Sequence, residues 1–222
     1  MADPGSEAAA ERKLGVGRLE ALTDGVFAIA ITLLAIEIAV PHIESASGGD
    51  LRQAIVDEWP SYAAYAVTFF LIGAYWMNHH RMFRLLTGIT HRFVIINIFF
   101  LMAIAIIPFP NAVLAEYLVE PELRGVAAGL YGVAMIALAV MFNLVWWYVA
   151  RHPSLLRPDC DRAALRKVLR SYLMGPVAYG VALAISFVAP LVTVALYAAI
   201  PLGYLFEGPV KTIDAGYMPE EE

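Results

Sequence analysis

The chain has 222 residues, 60% of them apolar and only 16% charged, and its mean hydropathy is +0.68. That composition excludes an ordinary soluble domain and points to an integral membrane protein, in which the formal net charge of -5 matters less than where Lys and Arg fall along the loops. A single cysteine, Cys160, excludes an intramolecular disulfide and a Cys-x-x-Cys metal or redox site.

Residues 1–17 begin MADPGSEAAAERK, without the basic start, apolar core and small-residue cleavage site of a secretory signal, and read as a retained cytoplasmic tail. Crossing a hydrocarbon core of about 30 Å takes about 20 mostly apolar residues. Six segments approach that length: Arg18–Val40, Pro60–Phe83, Phe93–Leu118, Gly125–Ala150, Ser171–Ala189 and Leu191–Phe206. Pro108 and Pro110 predict a kink or break near the end of the third. Trp59 and Tyr62 at the start of the second, and Trp146, Trp147 and Tyr148 at the end of the fourth, fit interfacial aromatic belts. Between the fourth and fifth, PDCDRAALRKVLR predicts a short amphipathic helix at the cytoplasmic interface, capped by Asp159 or Asp161, with its basic residues toward anionic head groups. Gly175-Pro176 predicts a local kink near the start of the fifth segment. Only Pro190 separates the fifth from the sixth, which is short for a span, and residues 207–222, ending in MPEEE, read as a second cytoplasmic tail.

Six crossings put Arg12, Lys13, Arg18, Arg81, Arg84, Arg92, Arg151, Arg157, Arg162, Arg166, Lys167, Arg170 and Lys211 on one side and leave Arg52 and Arg124 on the other. The positive-inside rule then places both termini in the cytoplasm. The expected fold is an all-α, multi-pass integral membrane protein with six transmembrane helices per subunit, spanning residues 18–206. The outer loops carry Glu44, Asp50, Asp57 and Glu58, then Glu116, Glu120 and Glu122. Two readings of them stand: an acidic surface concentrates cations at an external mouth, or it records only the absence of positive charge outside.

The first apolar segment, GRLEALTDGVFAIAITLLAIEI, opens with Arg18, Thr23 and Asp24 and places Glu37 near its far end. Ionisable groups in hydrocarbon are costly unless they face protein or a water-filled path. At about 100° per residue, Gly25, Thr32, Leu33, Ile36 and Val40 all fall within about 60° of Ile29, while Asp24 lies about 140° away. One helix thus separates a small-and-apolar stripe from a polar anchor aimed into the bundle. Ordinary helix packing and a pore wall both produce such a stripe.

The run Arg18-x-x-x-Leu22-Thr23-Asp24-Gly25-Val26-x-Ala28-Ile29-x-x-Thr32-Leu33-Leu34 resembles the first-helix signature of the cation channels called transmembrane protein 175, in which an Arg precedes a Phe-Ser-Asp triplet at this spacing. The run Trp76-x-x-His79-His80-Arg81-x-Phe83 is similar to the polar end of that family's second helix. The resemblance implies a potassium-permeable path lined by the first helices, with a ring of bulky aliphatic side chains at its narrowest point. By position, Ile29 becomes the principal constriction, Leu33 and Ile36 the next apolar rings and Thr32 a hydroxyl ring, with a monovalent cation passing transiently near Thr32 and Ile29. Family members with two such repeats form dimers, so this one-repeat chain is implied to be a homotetramer. Here Leu22 and Thr23 replace the Phe and Ser of the triplet, keeping an apolar anchor and a hydroxyl.

Arg18, Thr23 and Asp24 are expected to form a buried hydrogen-bonded cluster with Trp76, His79 or Asn97, since buried charges persist only when paired. They would support the pore rather than ligate ions. No segment resembles a carbonyl filter, so potassium over sodium selectivity would be modest and the apolar constriction would gate by dewetting. Glu37 fits a cation-attracting ring at the outer mouth or a side chain snorkelling to head groups. His79 and His80 are adjacent, point about 100° apart on a helix and do not share one metal. Asn97 and Asn143 are intramembrane amides suited to bonding between helices. There is no phosphate loop and no nucleophile with a base, which argues against an enzyme; no cofactor is expected beyond the permeant potassium ion, and no nucleic-acid partner beside the bilayer and monovalent cations. The alternative is a secondary transporter or proton-coupled cation exchanger using Asp24, Glu37 and the histidines; no internal repeat of the kind that favours a transporter is found. A non-transporting scaffold is the third reading, since the stripe could pack against protein.

Overall fold

The computed structural model describes residues 4–41 and 48–206; Glu44, Lys211 and the tail 207–222 lie outside the described residues. The described chain is helical throughout: α1 (Pro4–Ile36), α2 (Gly48–Asp57), α3 (Trp59–Arg84), α4 (His91–Ala105), α5 (Pro108–Tyr117), α6 (Arg124–Arg151), α7 (Arg162–Tyr172), α8 (Met174–Ser186) and α9 (Pro190–Phe206). Among the described residues, four segments are long and apolar enough to cross a membrane: Gly15–Ile36, His91–Tyr117, Arg124–Arg151 and Arg162–Ser186. Helix α3 has the length but ends in the polar run Asn78, His79, His80 and Arg81, and Pro190–Pro201 is a shorter apolar helix.

Helix boundaries follow local chemistry. Thr90 caps α4 by accepting from the Phe93 N–H at 3.2 Å, and Asp161 caps α7 by accepting from Ala163 and Ala164 at 2.7 and 3.2 Å. The third span breaks at Ile106–Ile107, and Pro108 opens α5, where its missing N–H costs no helical bond. The chain also breaks at Leu173, between α7 and α8 and within the apolar segment Arg162–Ser186, which puts Gly175-Pro176 in the first turn after the break. Residues 4–17, read as a tail, instead continue α1, because EAAAERKL is rich in strong helix formers.

Helix α6 is the centre of the subunit, packing against α4, α5, α7, α8 and α9, while α1 packs against α3, α4 and α5. Gly125, Gly129 and Gly132 line the face of α6 toward α8 and α9 and permit their close approach. At Gly132 the fit is tightest: a Cβ there would overlap the Tyr197 hydroxyl, which donates to Ala128 O at 3.1 Å. Phe100, Phe142, Trp146 and Tyr172 form an aromatic core, with Phe142 edge-on to Tyr172 at 5.0 Å. Trp146 and Tyr148 are therefore buried, contrary to their expected place in an interfacial belt; only Trp147 faces outward, under the Arg151 guanidinium at 4.9 Å. Three consecutive aromatics on a helix cannot share a face, and the core takes the first and the third.

The two ends of the bundle carry opposite charge. The α3–α4 loop pairs with the α6–α7 loop through Thr87 N–H to Leu155 O at 2.8 Å and Arg157 N–H to Leu85 O at 2.9 Å. That end gathers Arg81, Arg84, Arg92, Arg151, Arg157, Arg162, Arg166, Lys167 and Arg170. At the other end, Glu37, Ser61 and Glu116 line one cavity of about 300 Å³, and Ser61 donates to Glu58 at 3.2 Å.

Candidate functional site

Helix α1 has two faces of opposite fate. Val16, Leu19, Thr23, Phe27, Ala30 and Leu34 recur at helical spacing and are buried, with Phe27 against Phe100 and His79 at 5.9 and 6.1 Å. On the opposite stripe Ile29 is 60% exposed, Leu33 38% and Ile36 75%. Gly25 meets nothing within 4 Å, and Val40 continues the exposed stripe past the helix end. Thr32 is exposed and donates its hydroxyl to Ile29 O at 2.9 Å, which leaves its oxygen lone pairs facing outward. Glu37 lies one residue beyond α1, its N–H still on Leu33 O at 3.2 Å and its side chain exposed.

The polar residues divide into two groups rather than one cluster. The first is a buried relay in which each donor finds one acceptor. His79 Nε2 lies 2.8 Å from Asn97 Oδ1, Asn97 Nδ2 donates to Thr23 Oγ1 at 3.1 Å, and the Thr23 hydroxyl donates to Leu19 O at 2.9 Å. Because an amide oxygen only accepts, the hydrogen of the His79 ring sits on Nε2. All three side chains are at most 1% exposed, and the His79 ring stacks on Phe100 at 4.9 Å. The relay ties α1 to α3 through α4.

The second group lies at the edge of the α1–α3 contact. Trp76 Nε1 donates to Asp24 Oδ1 at 2.8 Å, Trp76 stacks on His80 at 5.7 Å, and His80 Nδ1 is 3.0 Å from Glu20 Oε1, at ion-pair distance though not aligned as a directed hydrogen bond. Two residues one turn apart on α1 thus meet two residues one turn apart on the antiparallel α3. Glu20 and His80 were not among the residues expected here; the matched i, i+4 spacings Glu20/Asp24 and Trp76/His80 were the available signal. Arg18 was expected in this cluster, but it is exposed and bonds to no described residue, because its position on the helix puts it on the same side as Ile29.

Among the described residues no group of three or more His, Cys, Asp and Glu is placed to hold a metal ion. What the site offers chemically is an apolar wall with a hydroxyl step, held at a fixed rotation by neutral hydrogen bonds behind it.

The sequence profile of the family described as endosomal/lysosomal potassium channel TMEM175 matches residues 18–108, which run from Arg18 through α3 and α4. A potassium channel of Streptomyces collinus is 40% identical over 200 residues, covering 90% of this chain and 96% of its own length. A potassium channel of Chamaesiphon minutus is 42% identical over 173 residues, covering 78% of this chain and 85% of its own. The crystal structure of a lysosomal potassium-selective channel TMEM175 homolog from Chamaesiphon minutus superposes with a TM-score of 0.78 at 38% identity, covering 86% of this chain and 96% of that one.

Proposed function

The chain belongs to the TMEM175 family, and from that premise we propose that it is a potassium-permeable cation channel whose first helices line a central pore in a homotetramer. The observation that carries this reading is the stripe of Ile29, Leu33 and Ile36, which no other described element of the subunit covers although the opposite face of α1 is fully packed. Exposed aliphatic side chains on a polar-anchored helix suit a path that is closed to water by narrowness alone. Ile29 forms the principal constriction and Leu33 and Ile36 the next rings, a barrier that gates by dewetting. Thr32 adds a hydroxyl layer where a monovalent cation pauses, Glu37 rims the outer mouth, and without a carbonyl filter the preference for potassium over sodium is modest.

The opposite charge of the two ends supports six crossings. Each long helix starts at one pole and finishes at the other, with α4–α5 and α7–α8 counted as single broken spans. The basic pole then lies in the cytoplasm of the plasma membrane with both termini.

Purified protein in planar bilayers with unequal potassium and sodium tests the reading. Wild type is expected to give single-channel steps with a reversal potential shifted toward potassium, and Ile29→Asn to raise conductance roughly several-fold by hydrating the ring. Silence in both, with coupled proton flux in liposomes, would instead assign a transporter.

A further inference from the structure

Away from the stripe on α1, the outward face of α7 and α8 joins a basic turn to an apolar one. Pro176 has no N–H for Tyr172 O, and the Asn143 amide of α6 donates there instead at 3.1 Å, which accounts for the break between the two helices. The break does not change the rotation of the chain. Leu165, Val168 and Tyr172 of α7 and Gly175, Tyr179 and Ala182 of α8 are all buried, three or four residues apart without a slip. The opposite face runs on in the same register. At about 100° per residue, Arg166, Lys167, Met174, Val177 and Val181 all fall within about 60° of Arg170. The three basic side chains are exposed and bond to no described residue, and Met174, Val177 and Val181 are 64%, 61% and 54% exposed. No carboxylate lies within α7, and Asp161 is turned to the Ala163 and Ala164 N–H groups as its cap.

A phospholipid has the same order of parts, a phosphate at the surface and an acyl chain beneath it. Arg166 and Arg170 stand one turn apart with Lys167 beside them, a spacing that lets charged side chains converge on one phosphate. From Arg170 to Val181 a helix advances roughly 16 Å, comparable to half of a hydrocarbon core of about 30 Å. An acidic protein would match the basic turn but not the apolar stripe beneath it. We propose that this face is a binding site for one anionic phospholipid of the cytoplasmic leaflet per subunit. Arg166, Lys167 and Arg170 hold its phosphate, and one acyl chain lies along Met174, Val177 and Val181. The site rests on the reading that the basic pole meets the cytoplasmic leaflet, and not on conduction.

Native mass spectrometry of the purified protein, with phosphatidylglycerol or phosphatidylcholine added back, tests the site. Wild type is expected to retain phosphatidylglycerol in preference to phosphatidylcholine. Arg166→Gln/Arg170→Gln is expected to reduce that preference about fivefold per cation removed, about 25-fold in all. Glutamine matches arginine in helix propensity, so α7 itself is kept. Arg84→Gln/Arg92→Gln removes the same charge from exposed positions at the same pole and is expected to change the preference by less than about twofold. Excess inorganic phosphate is expected not to displace the lipid, and a phosphatidylglycerol with a photoreactive group at mid-chain is expected to cross-link within residues 174–181. Equal retention of the two lipids, equal losses in the two double variants, displacement by inorganic phosphate, or cross-links only outside residues 174–181 would each overturn the proposal. These measurements read bound lipid and not current, so failure of the site and failure of the channel reading are told apart.

Discussion

Asn97 is fully buried, and its single amide serves both neighbours of the relay, accepting from His79 and donating to Thr23. Asn97→Leu therefore strands a ring N–H on α3 and leaves Thr23 without its donor. Thermal unfolding in detergent should register a loss of about 2–4 kcal/mol, from roughly 1–3 kcal/mol per stranded buried group. Thr23→Val strands only the Asn97 amide and should cost about half as much. Equal losses would mean that the hydroxyl, not the amide, carries the relay. The Asp24–Trp76 pair is different in kind, since Trp76 is exposed at its edge and water competes for the same bond.

The elements respond to substitution according to what they touch. Gly132→Ala on α6 drives a methyl into the Tyr197 hydroxyl, which is pinned by its bond to Ala128 O and packed against Tyr131 and Tyr179 at 5.2 and 6.1 Å. Overpacking there should cost about 1–3 kcal/mol. Gly180→Ala on α8 meets nothing within 4 Å and should be neutral or stabilising by up to about 1 kcal/mol, since alanine loses less entropy in a helix. Matched melts of the two variants check the contrast, and similar effects would deny the close approach of α9 to α6. At the α7 cap, Arg157 bonds Asp159 at 3.1 Å through two nitrogens and holds that exposed carboxyl below its usual range, leaving Asp161 free to cap the helix.

The whole molecule is a bundle with one basic and one acidic pole, and its orientation is readable through its single thiol. Cys160 stands at the basic pole beside α7, so a membrane-impermeant maleimide should label it in inverted vesicles and not in intact cells. Burial, then the charges of Asp159 and Asp161, push the thiol pKa up. Less thiolate is present at neutral pH, so labelling should be slower than for a free cysteine and should accelerate as pH rises toward 9. Labelling from the outside of intact cells would invert the proposed topology. The membrane class, the positions of the long helices and the two faces of α1 were legible in the sequence alone, because composition and a 3.6-residue period are properties of a continuous segment. The break at Pro108 was legible for the same reason. Only the tertiary structure decided which polar groups meet. Asn97 reaches Thr23 across 74 residues and Trp76 reaches Asp24 across 52, and each pairing depends on the rotation and axial register of packed helices. Those are set by how apolar surfaces interlock, and apolar residues that pack differently are interchangeable in a hydropathy pattern. That is why Arg18 reads as part of a buried cluster yet stands on the open stripe, and why Trp146 reads as an interfacial anchor yet fills the core.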